Sequence, residues 1–127
     1  MKKSKPIVWF EIYVDDMARA QRFYETVMGV TLEDLSDPTD MSMQMKSFPG
    51  DMDSYGANGT LVKMDGMKAG GNSTIIYFDS EDCTTEEQRV EKAGGKVQQP
   101  KMSIGEYGFI SHLYDTEGNL VGLHSMK

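Results

Sequence analysis

One cysteine, Cys83, and two histidines, His112 and His124, stand in 127 residues. A single thiol cannot form an internal disulfide. With no Cys or His beside it, Cys83 completes no zinc or redox motif and reads as an inert structural residue. Positive charge is scarce as well: 13 Lys and Arg face 20 Asp and Glu, a net charge of −7. Nucleic-acid binding relies on clustered cations that displace counterions, so nucleic acid is excluded as a partner. No apolar run has the length of a signal peptide or a membrane helix, and the expectation is a cytoplasmic protein without a membrane partner. The glycine series of P-loops and dinucleotide folds and the GxSxG elbow are also absent.

What the chain does have is an internal echo. VWFEIYVDD at residues 8–16 returns in outline as STIIYFDSED at 73–82. Setting Ile12, Tyr13 and Asp15 on Ile76, Tyr77 and Asp79 gives an offset of 64 residues, and Gly29 and Gly94 follow 65 apart. Such self-similarity points to one supersecondary unit used twice, with any site where the halves meet. The length is that of a single domain, residues 1–127.

The pattern of each half is βαβββ. In the first unit, about 7–64, Trp9, Glu11 and Tyr13 alternate with Phe10, Ile12 and Val14 along a strand. Asp15 or Asp16 then caps a helix carrying Met17, Ala20, Tyr24, Val27 and Met28 at helical spacing, and Gly29 ends it. Strands are expected at 30–35, 41–48 and 60–64. Residues 63–72 read as a linker. In the second unit, about 73–125, a strand at 74–78 precedes a helix opened by the capping-box pair Thr84 and Glu87 and stopped by Gly94 and Gly95. Strands are expected at 96–98, 107–114 and 120–124, the last two joined by the turn DTEGN, where Asp115 bonds its own turn. The fold class is α+β: two βαβββ units forming a curled mixed β-sheet cavity, with the helices on the outer face.

A paired βαβββ chain with FEIYVDDMARAQRFYETVMG early and LYDTEGNLVGLHS at its end resembles the vicinal oxygen chelate superfamily. That superfamily includes glyoxalase I, bleomycin-resistance proteins and extradiol dioxygenases. AGGKV and IGEYGFI are similar to the small bacterial glyoxalase-like members. The resemblance implies a ligand cavity between the units and, in metal-using members, four ligands, one on the first and one on the last strand of each unit. Glu11 matches the first of these positions. The 64-residue offset puts Ile75 at the second; Gly122 takes the place of a glutamate; and Thr60, Leu61, Val62 and Lys63 offer no His or Glu. A divalent cation needs three or more protein ligands, so no metal and no other cofactor is expected.

Glu11, between Trp9 and Tyr13, is the catalytic candidate: a partly desolvated carboxylate there would have a raised pKa, suited to a general base. Trp9, Tyr13 and Tyr77 offer flat walls with polar edges for a small organic ligand, joined by Glu106 at a cavity mouth and by His112 and His124. The bland reading makes the aromatics core and Glu11 a solvated relic; Met41, Met43 and Met45, alternating on one strand, read as core. The expected function is metal-free binding of a small organic molecule. Its rivals are a metal-dependent lyase or dioxygenase with a site rebuilt from Glu11, His112 and His124, and an interaction module with a closed cavity. Open sheet edges and the resemblance favour a homodimer.

Overall fold

The computed structural model describes residues 5–37, 39, 42–51 and 53–127. In chain order the elements are β1 (Trp9–Tyr13), α1 (Met17–Met28), β2 (Glu33–Leu35), β3 (Gln44–Ser47), β4 (Asn58–Lys63), β5 (Tyr77–Asp79), α2 (Cys83–Val90), β6 (Lys96–Ser103), β7 (Phe109–Tyr114) and β8 (Leu120–Ser125). Both units are βαβββ. Each folds its four strands into a mixed sheet, ordered β1-β4-β3-β2 in the first and β5-β8-β7-β6 in the second. The first strand of each unit lies parallel to its last, and the remaining pairs are antiparallel. Met41, one of the three alternating methionines, lies outside the described residues.

The α1 start is fixed by Asp16, whose carboxylate accepts the Arg19 N–H at 3.0 Å, and Gly29 closes it in the left-handed conformation. For α2 the capping-box expectation is corrected. Asp82 is the N-cap, taking the Thr84 N–H at 3.0 Å, so Thr84 lies inside the helix. The helix proper ends at Val90, and hydrogen-bonded turns carry it to the expected Gly94–Gly95 stop, where Gly94 takes a positive φ, its N–H donates to Glu91 O and the Gly95 N–H donates to Val90 O. The expected strand at 96–98 runs on to Ser103 across two register shifts, which carry it past Pro100.

One core holds both units. Ile12, Val14 and Leu61 from the first sheet meet Leu113, Val121 and Leu123 from the second, with Ala20, Phe23, Tyr24, Val27 and Val90 of the helices between them. Phe10, Phe48, Phe78 and Tyr24 stack across the unit boundary with ring centroids 5.4–6.0 Å apart. Each fully buried side chain of this kind stabilises the fold by roughly 1.5–3 kcal/mol. Strand alternation then turns Trp9, Glu11 and Tyr13 to the sheet face opposite the core.

The halves are also tied by polar groups of the DTEGN turn. Glu117 accepts from the N–H groups of Asp15 and Asp16, both at 2.9 Å, and from Arg19 at 2.6 and 2.9 Å. Asp115 accepts from the buried Tyr24 hydroxyl at 2.6 Å and from the N–H groups of Glu117 and Asn119. The turn reads as structural in the sequence. In the fold it also caps the entry to α1 from the other unit.

Candidate functional site

The site is built from register. Glu11 pairs with Thr60 across the parallel β1–β4 ladder, and Tyr77 pairs with Gly122 across β5–β8. Matching positions follow: Val14 N–H donates to Val62 O as Ser80 N–H donates to His124 O, and the caps Asp16 and Asp82 each precede their helix. First strands and helices are therefore related by 66 positions (16 to 82), and last strands by 62 (60 to 122). The 64-residue offset is corrected. The structural counterpart of Glu11 is Tyr77, not Ile75.

Around Glu11 the geometry is a clamp. Trp9 Nε1 donates to Glu11 Oε2 at 3.3 Å and the Tyr13 hydroxyl donates to Oε1 at 2.9 Å, which fixes the carboxylate over its own strand. Burial, then the hydrogen bond to Glu11 and its negative charge, push the Tyr13 phenol up, so it stays a donor at neutral pH. Glu11 itself is exposed, which removes the desolvation that the sequence reading supposed.

In the second unit the Tyr77 hydroxyl lies 2.7 Å from His112 Nε2, with the two rings 5.6 Å apart. His112 faces Gly122 on the neighbouring strand. A Cβ at Gly122 would lie 2.4 Å from Tyr77 Cδ1, so the tyrosine ring fills the space that a side chain at 122 would need. Phe10 lies over Gly59 in the same way, 2.3 Å from the corresponding Cβ position. His124 Nε2 lies 2.7 Å from the Tyr107 carbonyl, beside the exposed Glu106 in the short turn Gly105–Tyr107. The candidates thus fall into three groups: Trp9, Glu11 and Tyr13; Tyr77 and His112; His124 with the turn that carries Glu106.

A cavity of about 260 Å³ lies between the units. Glu11, Ile12 and Tyr13 form one wall, and Thr74, Ile76, Asn119, Leu120 and Val121 of the second unit form the other. Lys68, Gly70 and Asn72 of the connecting segment complete it. Of the residues singled out from the sequence, Glu11 and Tyr13 line it. The contribution of the connection escaped the sequence reading because glycine-rich composition signals a linker and says nothing of where it is pinned.

A family model described as Glyoxalase/Bleomycin resistance protein/Dioxygenase superfamily matches residues 6–123. The chain belongs to this superfamily. A glyoxylase-like domain-containing protein from Didymella fabae is 28% identical over 110 residues, 86% of this chain and 84% of that protein. Among solved structures, glyoxalase I from Zea mays superposes with a TM-score of 0.75 at 21% identity, covering 95% of this chain and 46% of that one. The chain therefore spans less than half the length of the maize enzyme. An antibiotic-binding protein from a Streptomyces species superposes with a TM-score of 0.66 at 21% identity, covering 98% of both chains.

In the metal-using members the ligands stand on the first and last strands of each unit. In this chain those positions are Glu11, Thr60, Tyr77 and Gly122. That set offers one carboxylate, a threonine hydroxyl, a phenol and no side chain at all, and the Tyr77 ring covers the fourth position. Neither histidine supplies the deficit: His112 is engaged by Tyr77, and His124 by Tyr107. Among the described residues, no three His, Cys, Asp or Glu are placed to hold a metal ion. The residues do not fit a divalent metal site.

Proposed function

We propose that the protein binds a small organic molecule in the cavity between its βαβββ units, without a metal. The observation that carries this reading is the Glu11 clamp on the cavity wall: a carboxylate held by Trp9 and Tyr13, with apolar surface from Ile76 and Leu120 opposite. Each carboxylate oxygen has a second acceptor site free for a ligand O–H or N–H. The volume of about 260 Å³ lies just below the range of small-molecule pockets, roughly 300–1,000 Å³, which suits only a compact ligand. The likeness to an antibiotic-binding protein supports the class of function, and the poor donor set argues against the metal-dependent lyase or dioxygenase. An open cavity argues against the closed module. Glu11 is the residue for any proton transfer; Tyr77, Glu106, His112 and His124 do not line this cavity.

The test is a thermal-shift screen of flat polar aromatic compounds, run with and without Zn²⁺, Ni²⁺ and Mn²⁺. Compounds that bind the native state raise the melting temperature. Leu120→Trp, which fills the cavity, is expected to abolish those shifts without unfolding the protein. Saturable stabilisation by a metal, lost in Glu11→Ala, would reverse the reading.

The proposal includes a cytoplasmic homodimer. Ile7, Val8, Trp9 and Tyr77 expose apolar surface at or beside the outer strands, and β2 and β6 end their sheets. Among the described residues no helix is long and apolar enough to cross a membrane. Sedimentation velocity at micromolar concentration is expected to show a dimer, and a monomer alone would remove that part.

A further inference from the structure

We propose that the 65–72 connection is a wall of the binding site rather than a tether, and that Lys68 on it binds an anionic group of the ligand. This rests on the cavity reading above. The connection is pinned from both units. Ala69 N–H donates to the Asp15 carboxylate at 3.1 Å and Gly70 N–H to Asn119 Oδ1 at 2.7 Å. Asn72 exchanges bonds with Leu120, its Nδ2 donating to Leu120 O at 3.0 Å and its Oδ1 accepting from Leu120 N–H at 3.1 Å. A turn with Met67 N–H donating to Met64 O sets the chain direction into Lys68. These bonds hold the stretch against the first and second units at once, and Lys68 is placed on the cavity as a result.

The polar amides of the cavity are already committed. Asn119 Nδ2 donates to Tyr13 O and to Asp115, its Oδ1 takes Gly70, and Asn72 Nδ2 also donates to Thr74 O. Two ionic groups remain for a ligand, Glu11 and Lys68, the one anion and the one cation on the cavity wall among the described residues. Lys68 has no ion-pair partner among the described residues. In a chain with a net charge of −7, an anion is otherwise repelled, so a single unpaired ammonium decides whether one is accepted. The ligand class is a compact carboxylate that also carries an ammonium or hydroxyl group, with a flat apolar body against Tyr13, Ile76 and Leu120.

Calorimetric titration with four probes of one shape tests this: phenylalanine, phenylacetate, phenethylamine and phenylacetamide. Lys68→Met is expected to weaken phenylalanine and phenylacetate about tenfold and to leave the other two unchanged, the loss of one charge-assisted hydrogen bond. Lys68→Arg should retain binding, and added salt should weaken phenylacetate in the wild type but not in Lys68→Met. Glu11→Gln should weaken phenylalanine and phenethylamine instead. Phenylacetate affinity that is indifferent to Lys68→Met while phenylacetamide still binds would overturn the role of Lys68 and leave the cavity reading standing. Failure of all four probes, with a screened compound still binding and blocked by Leu120→Trp, would overturn the ligand class; failure of the screen as well would take the cavity reading with it.

Discussion

Glu117→Gln is expected to cost about 3 kcal/mol at neutral pH, a fall of about 10 °C in melting temperature for a domain of this size. The Glu117 side chain is fully buried, and its two oxygens accept from Arg19, Thr116 and the N–H groups of Asp15 and Asp16. An amide in its place still accepts at one oxygen but turns N–H groups toward donors, which leaves buried charge-assisted bonds unmade. Burial pushes the Glu117 carboxyl up, but the bonds from Arg19, Asp16, Thr116 and Asp15 outweigh it and hold the pKa at about 2 instead of the usual 4.5. A depressed folded-state pKa means that the stabilisation is complete above about pH 4.5 and is lost as pH falls toward 2. Asp115 works in the opposite sense: burial raises its pKa, so its contribution weakens as pH climbs through the acid range. Melting curves of wild type and Glu117→Gln should therefore differ widely at pH 7 and converge toward pH 2.5. An equal gap at both would show that the side chain acts by packing, and the electrostatic tie between the units would be wrong.

Duplication, element order and the Trp9-Glu11-Tyr13 face were legible because strand alternation and helix spacing are local. The offset was not. Matching Asp15 to Asp79 aligns the ends of two similar-looking strands, whereas the fold aligns the N-caps Asp16 and Asp82, each of which accepts an N–H of its own helix's first turn. The two-residue slip keeps the same face of the strand, so nothing in the alternation warned of it. The capping box at Thr84 and Glu87 misled for a related reason: Asp82 lies two residues earlier and reaches the same free N–H groups. Arg19 and Glu117 lie in the two motifs that carry the resemblance, but an ion pair across 98 positions leaves no local trace. The cavity wall at Lys68 depends on bonds from Ala69 to Asp15 and from Gly70 to Asn119, which span 54 and 49 positions.

The corrected offset makes its own prediction. With Tyr77, not Ile75, as the counterpart of Glu11, a metal site should be restorable by Tyr77→His combined with Gly122→Glu. Gly122→Glu alone is expected to destabilise by about 1–3 kcal/mol, because its Cβ would meet the Tyr77 ring at 2.4 Å and the ring must be displaced from His112. Replacing the ring with imidazole clears that space and adds a donor, so that the first- and last-strand positions of the two units offer an imidazole and two carboxylates, Glu11 among them, with the Thr60 hydroxyl at the fourth position. Glu11 must then release Trp9 and Tyr13, two hydrogen bonds of about 0.5–1.5 kcal/mol each, which a tightly held cation offsets. The double variant is expected to take up about one equivalent of Zn²⁺ or Ni²⁺ and to gain about 2.7 kcal/mol of stability with metal at a hundredfold excess over its Kd. Wild type should gain nothing, and adding Glu11→Gln should remove the gain. A folded double variant that binds no metal would show that these positions do not converge, and a wild type already holding one equivalent would show that Tyr77 and Gly122 do not keep the metal out.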